Sequence, residues 1–232
     1  RNILKRTNIA ITKGNTFENK DNLAPAALEQ LREKYANTRL GRQELYAEVL
    51  DDTEGALWNY TNLDDTRITK EQMPEMNRIV VAIDPAVTNN EDSDETGIIT
   101  AGIGTDGRYY VIDDSSVKLS PDGWARTAID CFYKFEADRI VAETNNGGDL
   151  VERLLRTVDN AIPYTPVNAS RGKMIRAEPI AALYEQKKVS HVGLFDKLEE
   201  QLCSFTVGSR KSPDRLDALV WALTELSQNT GN

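Results

Sequence analysis

The sequence is poor in the residues that build most catalytic and metal centres. Histidine occurs once, at His191, so neither a histidine pair nor an imidazole-rich metal site can form. Cysteine occurs twice, at Cys131 and Cys203, each inside an apolar helical pattern. That placement suits reduced thiols in a core and argues against a disulfide framework or a thiolate zinc site. No run of about 18 apolar residues is present to cross a membrane. A G-x-x-x-x-G-K-[ST] loop is also missing, so this chain has no ATP site of the P-loop kind. There is no internal repeat and no low-complexity tract. The chain opens "RNILKRTN", with no initiator Met and no apolar signal core, and reads as excised from a longer polypeptide.

What is present is a chain of 232 residues, 40% hydrophobic and 28% charged, with a formal charge of -9. That length supports one substantial core plus an appendage, or two small domains. The acidic balance disfavours nucleic-acid binding over the whole surface and leaves two routes to it, a local basic stripe or neutralising metal ions. With so little nitrogen and sulfur on offer, oxygen must hold any such ion.

Residues 1–62 differ in texture from the rest. "NIAIT" reads as one strand, "TKGNTFENKDN" as a polar loop, and "APAALEQLREKYANT" and "RQELYAEVL" as two amphipathic helices. The polar stretch 62–77, punctuated by Pro74, reads as a linker. The chain therefore divides into a mostly helical segment, 1–72, and a second domain, 73–232. In the second domain the pattern predicts strands over 78–83, 97–104 and 108–112, the last two joined through the turn "TDG". Helices over 121–135 and 149–158 then alternate with strands "RIVAE" and "YTPVN", and helices over 174–186, 196–205 and 216–228 follow. The order βββαβαβα implies an α/β fold, a mixed sheet with helices on both faces. Ligands of such sheets gather beyond the carboxyl ends of the parallel strands.

Two apolar runs end there on an acid. "RIVVAIDPA" stops on Asp84 and "RIVAETNNGG" on Glu143. A third acid comes from "SPDRLDALVWALTEL", where Ser212 and Pro213 suit a helix start and Leu216, Leu219, Val220, Leu223 and Leu226 form the buried stripe. Asp217 lies on the shoulder of that stripe, and Asp214 projects from nearly the same face one turn earlier. Each acid has an ordinary reading: Asp84 before Pro85 starts a turn, Glu143 caps a helix, although Asn145 and Asn146 are better caps, and Asp214 meets the helix dipole. Together they describe mutual repulsion that a cation would relieve. Magnesium and manganese take carboxylate oxygens octahedrally, and two ions roughly 3.5–4 Å apart serve phosphodiester hydrolysis.

The segments "AIDPA", "DETGIITAG", "YYVIDDSS", "VAETNNGGDLV", "RGKMIRAEPIAALYEQKKVSHVG" and "SPDRLDALVWAL" resemble, in one order, the nuclease domain of tailed-phage terminase large subunits. The resemblance covers about 78–226. It implies a ribonuclease H-like fold related to Holliday-junction resolvases, with Asp84, Glu143 and Asp217 as catalytic, metal-binding acids. Asp214 matches an additional acid of related resolvases. The cofactors implied are two Mg²⁺ or Mn²⁺ ions. The implied substrate is concatemeric double-stranded DNA, and the implied partners are a portal protein and a terminase small subunit, in the host cytoplasm and with no membrane. The leading segment resembles the end of the family's ATPase motor and its linker. A junction resolvase or ribonuclease-H-type nuclease would use the same acids, and a non-catalytic module docking DNA or a portal would keep them for structure. An actin-like sugar kinase is disfavoured, because the first strand lacks a glycine-rich phosphate turn after its Asp.

For DNA, residues 168–190 carry Arg171, Lys173, Arg176, Lys187 and Lys188 against only Glu178 and Glu185. Arg171, Lys173 and Arg176, at the entry of a helix and after a strand end, are the phosphate-tracking candidates. Lys187 and Lys188 read as a solvated face. His191 reads as a strand-edge residue, Asp94 as a polar approach to the strand at Gly97, and Asp113 and Asp114 as solvated or capping.

Overall fold

A computed structural model describes residues 53–85, 95–144, 148–169, 172–206 and 213–228. The strand and two helices expected in the first fifty residues, and Asp94, Asn145, Asn146, Arg171 and Ser212, lie outside the described residues.

Strand β1, Met76–Asp84, forms where β-branched residues and alanine make a run fit for burial on both faces, and Val80 through Ile83 are fully buried. It pairs antiparallel with β2, Gly97–Gly104, which pairs antiparallel with β3, Tyr109–Asp114. The turn between β2 and β3 is the expected one. Gly107 adopts φ +75, which only glycine takes cheaply, and its N–H donates to the carbonyl of Gly104 at 2.9 Å. Helix α2, Pro121–Lys134, leads to β4, Arg139–Glu143, parallel to β1. Helix α3, Gly148–Val158, leads to β5, Tyr164–Val167, parallel to β4. Pro166 sits in β5, where an edge strand tolerates a residue without an N–H.

Helix α4, Lys173–Glu185, is followed by β6, Val189–His191, then by α5, Asp196–Ser204, and α6, Asp214–Gln228. The six strands lie in the order β5-β4-β1-β2-β3-β6. β6 is an addition to the expected order. Three residues are too few to show an alternating pattern, and the strand exists because its backbone pairs in parallel with Tyr109–Val111. His191 lies on this edge, as expected, but is buried rather than at the surface.

Alternation along the strands separates two layers of packing. Val81, Ile83, Ile140 and Ala142 face Trp124, Ala125 and Ala128 of α2 and Val151 and Leu155 of α3. The opposite face is covered by α6, whose Leu216, Leu219, Val220, Leu223 and Leu226 are buried, as the stripe predicted. Both cysteines are buried, and neither is in a disulfide. Near the far end of α6, Glu225 binds Arg78 at 2.5 Å and lies 3.4 Å from Arg139, side chains at the starts of β1 and β4. The helix therefore runs along the sheet with its first turn toward the carboxyl ends of those strands.

That first turn depends on Gly97. A Cβ built there would stand 2.0 Å from the backbone oxygen of Asp214, so any side chain forces α6 away from β2. Gly97→Ala is expected to cost about 1–3 kcal/mol or more, the range for overpacking a rigid contact. Urea denaturation checks this, and an unchanged midpoint would show that the helix start yields freely.

Within the stretch 62–77, polar enough to read as a linker, Leu63 and Thr66 are buried, while residues 69–72 are exposed. Helix α1, Tyr60–Asp65, is capped by Asn59, whose side chain accepts from the N–H of Asn62 at 2.8 Å. Its polar letters face water, while Trp58, Tyr60 and Leu63 are buried and Trp58 meets Tyr184 edge to face. The hydrophobic anchors lie just ahead of the polar run or singly within it, which hides them from a window average.

Candidate active site

Register brings the two strand-end acids together. Ile83 pairs with Ala142 across the parallel β1–β4 ladder, so the next residues, Asp84 and Glu143, leave the sheet side by side. Successive side chains alternate faces, and both acids follow residues packed toward α2 and α3. They therefore project toward α6. From that helix Asp217 completes the group, with its side chain 3% exposed.

The electrostatics record the crowding. Burial pushes the Asp84 carboxyl well above the ordinary carboxylate range, and repulsion from Asp217, Glu143 and Asp214 pushes it further, against the pull of Lys173. Burial raises Asp217 as well, with Glu143 adding to it, while Lys173 and Arg176 hold it back. The other three sequence-nominated acids thus all act on Asp84.

Two of the nominated basic residues enter the same group. Lys173, at the first position of α4, donates from Nζ to Oδ2 of Asp217. Arg176 stands 3.6 Å from Oε2 of Glu143 and 3.6 Å from Oδ1 of Asp217, and its buried Nη1 has no hydrogen-bond partner among the described residues. Lys187, by contrast, pairs with Asp65 at 3.0 Å on an exposed face.

Three features escaped the sequence reading. Trp221 donates its indole N–H to Oε2 of Glu143 at 3.0 Å. Its position four residues after Asp217 was the available signal. Arg215, nearly buried, binds both oxygens of Glu95 at 2.8 and 2.5 Å and Oδ2 of Asp114 at 2.5 Å. Asp114 is therefore not solvated but a buried ion-pair partner, because Arg215 follows Asp214 at the helix start and reaches the end of β3, while Oδ1 of Asp114 caps the turn as expected, accepting from the N–H of Ser116 at 3.2 Å. Finally, His191 lies between Tyr184 Oη at 2.9 Å and Glu199 Oε1 at 3.0 Å, a network that no local pattern announces.

A family model described as "Terminase RNaseH-like domain" matches residues 81–226, more than half of the chain. The chain belongs to that family. Among solved structures, the large terminase nuclease from thermophilic phage G20c with bound magnesium is 16% identical with a TM-score of 0.54, over 75% of this chain and 98% of that one. A mutant nuclease domain of the large terminase subunit of bacterial virus Sf6 with manganese is 13% identical with a TM-score of 0.54, over 72% and 98%. The large terminase from another thermophilic bacteriophage is 13% identical with a TM-score of 0.54, and this chain, 90% covered, spans 53% of its length. Likeness at these identities establishes the ribonuclease H-like fold. No curated protein matches this chain.

The residues suit hard divalent cations in kind. Their donors are carboxylate oxygens, and a cation would offset the repulsion that Asp217, Glu143 and Asp214 add to the effect of burial on Asp84. In placement the amines intervene: Lys173 and Arg176 lie among the acids, and no group of three or more His, Cys, Asp or Glu side chains able to hold one ion occurs among the described residues.

Proposed function

We propose that this chain carries the metal-dependent DNA endonuclease domain of a viral packaging terminase large subunit, which cuts concatemeric double-stranded DNA. The observation that carries the reading is the side-by-side exit of Asp84 and Glu143 from adjacent parallel strands, facing Asp217 on α6. Asp84, Glu143 and Asp217 would hold Mg²⁺ or Mn²⁺, with Asp214 as an additional acid. Two such ions supply activation of a water and stabilisation of the departing 3′-oxygen of a phosphodiester. Around them the chain's own groups orient the substrate. Arg176, with an unsatisfied buried N–H, presents a donor to a phosphate oxygen, and Lys173 presents an ammonium at the start of α4. With Arg171 they form the sequence-independent grip on the duplex backbone. The same proposal takes 1–72 as the end of the motor domain and its linker and 73–232 as the nuclease domain. Portal protein and terminase small subunit are its partners, in the host cytoplasm.

Lys173 occupies an oxygen of Asp217 that an ion would use, so the two compete. Mn²⁺ is expected to raise the melting temperature of the parent protein, adding about 2.7 kcal/mol at a hundredfold excess over Kd. Lys173→Ala should bind Mn²⁺ more tightly and duplex DNA more weakly, with a salt dependence flatter by about one unit of slope or slightly less. Titration calorimetry for the ion and fluorescence anisotropy for the DNA check both. Equal Mn²⁺ affinity in the two proteins would show that Lys173 does not contend for the ion.

One observation favours a second reading. Lys173 and Arg176 already neutralise part of the acid group, as structural acids in a non-catalytic docking module would require. Plasmid cleavage with Mg²⁺, Mn²⁺ and EDTA arms separates the two, since the docking module cuts nothing in any arm. A four-way junction arm separates packaging cleavage from resolvase-type cleavage, because a resolvase would prefer the junction over linear duplex.

A further inference from the structure

Helix α6 carries a second side chain of consequence one turn beyond Asp217. Trp221 is 6% exposed, in a stripe that Leu or Phe would fill without polar atoms. A buried indole N–H needs an acceptor, and here the acceptor is Oε2 of Glu143 at 3.0 Å. The ring face lies 4.5 Å from the Arg176 guanidinium, whose Nη1 stands 3.6 Å from that same Oε2. The one hydrogen bond that Glu143 accepts from a side chain among the described residues, and the nearest guanidinium, therefore both fall on the same oxygen. Oε1 is left without a protein donor among the described residues.

The geometry points to Trp221 as a positioning residue that commits Glu143 to offering a cation a single oxygen. This rests on the reading of Glu143 as a metal ligand. Its consequence is selectivity among ions. Mg²⁺ and Mn²⁺ are served by one oxygen per carboxylate in an octahedral shell, whereas Ca²⁺ accepts more ligands and takes carboxylates through both oxygens. An indole N–H bound to Oε2 hinders the two-oxygen mode and holds Oε1 in one orientation. Removing that N–H frees the carboxylate to turn, which harms the ion that demands strict geometry more than the ion that does not.

Two replacements isolate the N–H. Trp221→Phe keeps an aromatic face for Arg176 and drops the donor. Replacement of Trp221 by β-(3-benzothienyl)alanine keeps the indole shape and places sulfur where the N–H was, so it serves if the smaller ring unsettles the fold. Mn²⁺ affinity would be read by electron paramagnetic resonance and Ca²⁺ affinity by calorimetry, both without DNA. Loss of a partner that orients a ligand typically weakens metal binding by about 10- to 100-fold. Mn²⁺ affinity is expected to fall by at least about tenfold in both variants, and Ca²⁺ affinity by clearly less, so that their ratio contracts. A parent-like ratio of the two affinities in both variants overturns the role of Trp221. If Glu143→Gln leaves Mn²⁺ and Ca²⁺ binding at parental strength, the ligand reading fails beneath it, and that result is distinct from the first.

Discussion

Asp84→Asn, Glu143→Gln and Asp217→Asn are each expected to remove Mn²⁺-dependent nicking and linearisation of plasmid DNA while the protein stays folded. Bound metal contributes several kcal/mol of transition-state stabilisation, which corresponds to on the order of a thousandfold or more in rate. The amides keep volume and hydrogen-bonding capacity but lose the charge. For Asp84 that loss also relieves repulsion from Asp217 and Glu143, so this variant should melt no lower than the parent without metal. For Asp217 the change leaves Lys173 and Arg176 short of a partner, and a modest drop in melting temperature is expected. Asp214→Ala should reduce cleavage least, since its place in the first turn of α6 already suits an acid. Full activity in all three folded variants would refute the assignment.

The largest expected loss of stability lies elsewhere, in Arg67→Met. Glu199 is fully buried, and Arg67 holds both its oxygens at 2.6 and 2.9 Å while also reaching the carbonyl of Gly193 at 2.6 Å. Burial alone would push the Glu199 carboxyl up, yet hydrogen bonds from His191 and Arg67 bring it down to about 2. An ionised Glu199 can only accept, so Nδ1 of His191 carries the proton there, and Nε2 meets the Tyr184 hydroxyl on the other side of the ring. Removing the guanidinium from a buried carboxylate is expected to cost about 3–5 kcal/mol, or on the order of 10 °C in melting temperature for a unit of this size. The sign with pH follows from the lowered value. Glu199 contributes stability that is present above its unfolded value of 4.5 and lost as pH falls toward about 2. Arg67→Met should therefore show a shallower acid limb between those values, and a melting temperature within a degree or two of the parent would show that the network contributes little.

What could be read in advance, and what could not, divides by the range of the interaction. Asp84 and Glu143 were legible because a buried strand writes a continuous apolar run whose last letter stands at the sheet edge. Asp217 was legible because the stripe of α6 has a helical period, which leaves an acid on its shoulder conspicuous. Strand β6 was invisible as a paired element, since Val189–His191 owes its form to backbone pairing with β3 and not to its own letters. Arg215 and Asp114 are separated by about a hundred residues in sequence and meet only because Gly97 lets the helix start press against the sheet. Lys173 and Arg176 lie on the side of the acids, but their pairing with Asp217 and Glu143 depends on how α4 lies against α6. No spacing encodes that.

The tie between the chain ahead of β1 and the β6 edge has a mechanical consequence. Ile68 donates to the carbonyl of His191 and accepts from the N–H of Gly193, both at 2.9 Å, and Arg67 grips Glu199 beside them. Tension applied to the chain ahead of Trp58 would load these bonds and the buried anchors of α1 before it reached Met76. The force would enter the sheet at β6, three strands away from β1 and four from β4. The intervening ladders would spread the strain, and the acids at the ends of β1 and β4 would keep their spacing while the molecule bore a load.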